Sequence, residues 1–94
     1  MIIDENARPR HHPQTASRIF DGEAVIISPS QNMVRMLNPT GSRIWELADG
    51  SRTITEIANI LTEEFEVTPE HALESVRVFV HELVQRQLLT LETG

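Results

Sequence analysis

The sequence predicts an α+β domain in which three short antiparallel strands precede three helices. Three observations carry this prediction. Alternating apolar residues punctuated by turn signals fill residues 17–37, helical periodicity fills residues 39–87, and a polar cap residue opens each helix. Residues 37–50, LNPTGSRIWELADG, join the two halves and hold the only Trp.

Residues 1–16 are polar, contain Pro9 and Pro13 and show no sustained periodicity, so they read as a flexible arm ahead of a domain at residues 17–94. Its adjacent His11 and His12 lack further ligands nearby and read as solvated side chains rather than a metal site. Strands are expected at residues 17–20, 23–28 and 32–37. Asp21-Gly22 is a tight-hairpin dipeptide, and Ser28-Pro29-Ser30-Gln31 supplies the second turn. In the third strand Met33, Arg35 and Leu37 alternate with Val34 and Met36, so both faces are partly apolar. One face covers the core, and the second calls for helices or a dimer partner.

Asn38 is a good N-cap with Pro39 at the first helical position. Ile44, Trp45, Leu47 and Ala48 form the apolar face of that helix, and Gly50 suits a left-handed stop. Trp45 is expected to be buried, linking the strands to the helices. Thr53 and Glu56 match the capping box of a helix over residues 54–65. Thr68-Pro69 starts a third helix over residues 69–87, with Leu73, Val76, Phe79, Val80, Leu83 and Leu88 as its apolar stripe. Its opposite face carries His71, Glu74, Ser75, Val78, His81, Glu82 and Gln85, Val78 being the apolar exception. Residues 88–91 suit a terminal extended segment. The order of elements suits a winged helix-turn-helix-like arrangement, a small sheet packed on a helical trio.

Composition narrows the function classes. With no cysteine there is no disulfide, thiolate metal site or thiol nucleophile. No apolar run approaches membrane-span length and no signal-peptide core opens the chain, so a cytoplasmic protein without membrane association is expected. Eight arginines, no lysine and fourteen acidic residues give a net charge of −6. A nucleic-acid binder would need a basic stripe, and none is present. His81-Glu82 begins like a zinc-protease motif, but Gln85 occupies the second histidine position. Without a phosphate loop or a nucleophile elbow, no catalytic residue, cofactor or metal is assigned, and the chain is not expected to be an enzyme.

A peptide ligand suits the chain better. A short sheet has an edge that accepts an added strand, and a long helix beside it supplies side-chain pockets. LNPTGSRIWELADGSRTITEIANILTEEFEV followed by ESVRVFVHELVQRQLL resembles the PqqD family over residues 19–89. The family often has Asp where this chain has Ser75 and Gly where it has Gln87. The resemblance implies a peptide chaperone that binds the leader of a ribosomally made precursor peptide as an added strand. It also implies presentation to a modifying enzyme, often a radical S-adenosylmethionine protein, in pyrroloquinoline quinone biosynthesis or a related pathway. Carried onto this sequence, Met33, Val34, Arg35 and Met36 would pair with the leader through their backbone, and Arg35 could also meet an acidic leader side chain. Ser75, Val78 and Glu82 would line the helix side. The alternatives are a DNA-binding winged helix and a structural homodimer.

Overall fold

A computed structural model describes residues 4–92. The Asp21-Gly22 turn joins β2 (Ala16–Phe20) to β3 (Glu23–Ser28) with φ of 51° and 79° at its two central residues. That is the mirror-type turn whose twist matches antiparallel strands. A single 3-10 turn at Pro29–Gln31, closed by left-handed Asn32, leads into β4 (Met33–Met36). The antiparallel sheet runs β2-β3-β4.

Three helices follow, with winged-helix-like topology as expected. In α1 (Pro39–Leu47) the Asn38 side chain accepts a 2.7 Å bond from the Gly41 N–H. The full Thr53–Glu56 capping box opens α2 (Ile54–Glu64), and Thr68 caps α3 (Pro69–Gln85). Gln87 adopts φ 61° in the turn after α3, a left-handed conformation that glycine takes at lower cost.

Ala24 and Ile26 of β3 press onto α1, while α2 and α3 pack on each other. Ile44, Trp45, Ile57, Leu61, Val76, Val80, Leu83, Leu88 and Leu89 fill the centre with at most 1 % exposure each. Ser42 of α1 is buried where the β3–β4 ladder ends. The Leu37 N–H donates to the Ala24 carbonyl at 2.9 Å, and the Ala24 N–H donates to Ser42 Oγ at 2.6 Å. Ser42 Oγ in turn donates to the Leu37 carbonyl at 3.3 Å, so the frayed pair leaves no buried polar group orphaned.

The expectation of a flexible arm at residues 1–16 is corrected. Arg8–His11 form β1, which pairs antiparallel with β5 (Leu89–Glu92), Arg8 opposite Glu92 and His11 opposite Leu89. Ala7 and Pro9 are buried. The Pro9 carbonyl accepts from the Gly50 N–H at 2.9 Å and the Ala7 carbonyl from the Ile54 N–H at 3.1 Å. His11 lies flat on Trp45, ring centroids 3.7 Å apart, with Nε2 donating to the Trp45 carbonyl at 2.7 Å. What holds the segment is alternation: Ala7, Pro9 and His11 face inward, Arg8 and Arg10 outward. Residues 1–3, the first part of that expectation, lie outside the described residues.

Candidate functional site

The site begins with the geometry of β4. Leu37 sits opposite Ala24 as a hydrogen-bonded partner, and bonded and unbonded pairs alternate along an antiparallel ladder. Arg35 and Met33 therefore turn their backbone groups toward Ile26 and Ser28 of β3. The N–H and C=O of Val34 and Met36 point the other way, to an edge of the sheet that no described strand occupies.

Along this edge runs α3. His71, Glu74, Ser75, Val78, Phe79 and Glu82 recur at helical spacing and make one stripe facing β4. Between the stripe and the strand lies a cleft of about 610 Å³, within the range of small ligand sites. Its apolar floor comes from Ile44, Leu61, Ala72 and Phe79. At one end Arg35 reaches across to form an ion pair with Glu82, which also lies 3.6 Å from Arg86. Gln31 closes the same end by donating to the Arg86 carbonyl at 2.9 Å.

Of the residues expected at the site, Arg35, Met36, Ser75, Val78 and Glu82 line the cleft. Met33 turns inward against the core, and the Val34 side chain projects onto the outer sheet face, 67 % exposed. Both stay on β4, but only Val34 offers free backbone groups. Arg35 is engaged by Glu82 rather than waiting for a ligand. Sequence reasoning missed Gly41 and left Glu74 out of the site, and it read Phe79 only as part of the apolar stripe, although Phe79 and Leu37 also line the cleft. Glu74 was findable, since it shares the helical stripe of Ser75, Val78 and Glu82.

Gly41 shapes the floor. A Cβ built on it would lie 3.1 Å from Phe79 Cε2 and 3.1 Å from Asn38 Oδ1. The capping bond holds Asn38, so the Phe79 ring is the part that yields, and it yields into the cleft. Gly41→Ala is expected to change stability by less than about 1 kcal/mol, because better helix propensity offsets the crowding. It should weaken any ligand of the cleft several-fold. Urea melts and ligand titrations of the same samples check both parts.

The resolved pKa shifts all lie away from the cleft. Arg43 of α1 grips Glu64 of α2 at 2.7 and 2.8 Å, which lowers the Glu64 pKa and raises that of Arg43. The Ser51 hydroxyl and N–H lower Asp49, and the Thr53 N–H lowers Glu56. These groups fasten helix ends and the α1–α2 turn rather than serving chemistry.

The family model for Coenzyme PQQ synthesis protein D (PqqD) matches residues 23–89. The chain belongs to the PqqD family. A PqqA binding protein of Rhizobium meliloti (strain 1021) is 31 % identical over 70 residues, 74 % of this chain and 69 % of that one. Two solved structures share the PqqD-family fold seen here. TbiB1 in complex with the TbiA(beta) leader peptide superposes with a TM-score of 0.82 at 24 % identity, covering 90 % of this chain and 99 % of that one. A lasso peptide synthetase B1 complexed with its leader peptide gives 0.81 at 21 % identity, with coverage of 89 % and 99 %.

Proposed function

We propose that this domain binds the leader of a ribosomally made precursor peptide by strand addition and presents it to a separate modifying enzyme. The observation that carries the proposal is the open β4 edge lying beside the cleft-facing stripe of α3. An added strand would bond to the N–H and C=O groups of Val34 and Met36 and place every second side chain against Ser75, Val78 and Phe79. The PqqA binding relative, and the leader peptides held by two proteins of the same fold, support this reading. In it the chain is a binding partner and the chemistry belongs to the enzyme, a radical S-adenosylmethionine protein being the expected type. Pyrroloquinoline quinone biosynthesis and related peptide-modification pathways are the settings it suits, in the cytoplasm.

The outer sheet face fits the presenting role. Phe20, Val34 and Met36 are 59, 67 and 70 % exposed there, a patch of the kind that meets macromolecular partners. The DNA-binding alternative has no comparable support, since the net charge is −6 and no basic stripe crosses the helices.

The test is an NMR titration of labelled protein with leader peptides encoded beside its gene. Amide shifts concentrated at Val34, Met36 and Ser75–Glu82 are expected. Shifts gathered instead on the face of β2, with β4 unmoved, would sink strand addition at this edge.

A further inference from the structure

The cleft is electrically polarised along its length. At the Arg35 end, Arg35 and Arg86 share the single carboxylate of Glu82, which leaves one excess positive charge. At the other end Glu74 lines the cleft without an ion-pair partner among the described residues, and Glu70 lies one helical turn earlier. Between the two ends the lining is Ser75, Val78 and the edge of Phe79.

Resting on the leader-binding reading above, we infer that the cleft reads a charge order in its peptide. An acidic side chain lies at the Arg35 end, a basic one at the Glu74 end, and an apolar one between them. Spacing follows from two repeats. Eight helical positions separate Glu74 from Glu82, about 12 Å along the axis. An added strand covers about 13 Å in four residues, and four is an even number, so both charged side chains face the cleft. The peptide pattern is thus charge, any residue, apolar, any residue, opposite charge. Its order along the sequence sets the direction in which the strand is laid down.

The Arg35–Glu82 pair suits this task because it yields easily. Its side chains are 28 and 43 % exposed, and pairs so wetted contribute little to stability. An incoming carboxylate shares the Arg35 guanidinium without tearing out a buried bond.

Three labelled peptides of one length, identical except at two positions, test the inference by fluorescence anisotropy at low salt. The first carries Asp and Lys on either side of a central Leu at the stated spacing, the second exchanges them, and the third has Gln at both. Each exposed pair changes affinity about two- to fivefold, and the exchange reverses two of them. One charged order should therefore bind about tenfold tighter than the Gln peptide, and the exchanged order more weakly than the Gln peptide. That ratio should shrink in high salt, fall by about half on a logarithmic scale in Arg35→Gln or Glu74→Gln alone, and approach one when the two are combined. Equal binding of all three peptides overturns the charge order and leaves strand addition standing. Binding by none of them, with no amide shift on β4, overturns both.

Discussion

Replacing Trp45 with alanine is expected to lower the unfolding free energy by about 3–5 kcal/mol. A domain of this size holds about 5–14 kcal/mol in all, so the variant should sit near the limit of folding. The size of the effect follows from what the side chain joins. Trp45 is 1 % exposed, its Nε1 donates to Ser17 Oγ of β2 at 3.0 Å, and one ring face carries His11 of β1. Deleting the indole opens a cavity and removes the surface on which both strands rest. The urea midpoint should fall by roughly 1–3 M. Trp45→Phe keeps an aromatic surface for His11 and should lose far less. A Trp45→Ala midpoint close to that of the parent protein would contradict the central place given to this residue.

Met36→Pro is the sharpest test of strand addition. Proline is tolerated on an edge strand where its missing N–H would face solvent, and the outward Met36 N–H meets that condition. Arg35 before it is already extended, as a residue preceding proline prefers. Stability should therefore change by less than about 1 kcal/mol. Peptide affinity should fall at least about tenfold, since one ladder bond is lost and a leader carbonyl is left unpaired at a cost of about 1–3 kcal/mol. Met36→Ala keeps the N–H and should bind nearly as the parent does. If the proline variant bound leader as tightly as the alanine one, recognition would have to lie elsewhere.

Most of this architecture was legible because its signals are local. Asp21-Gly22, Asn38-Pro39, Thr53 with Glu56 and Thr68-Pro69 each fix a turn or cap within four residues, and each stands where the sequence placed it. β1 was not legible. Its inward residues are Ala7, Pro9 and His11, too small or too polar to register as an apolar stripe, and its strand partner lies at the other end of the chain. The cleft was read in part for a similar reason. Ser75, Val78 and Glu82 stand out as one helical face, but the floor forms only where α1, α2 and α3 converge. No periodicity within one element announces that Gly41 will lie under Phe79. Nor could the sequence distinguish Val34 from Arg35 as a backbone donor, because ladder parity depends on the register with β3.

The pairing of β1 with β5 sets the order of events during synthesis. Arg10 and Glu92 meet at 2.8 Å although 82 positions separate them, and among the described strands β5 pairs with β1 alone. Loop-closure entropy makes so distant a contact slow to form unless the intervening chain is already compact. On the ribosome β1 emerges before its ladder partner, so the hairpins and helices between them can assemble while β1 is still single. The β1–β5 ladder then waits for β5 to emerge. Loss of β5 would undo both strands at once, so a chain cut short before Leu89 would lack the β1–β5 ladder altogether.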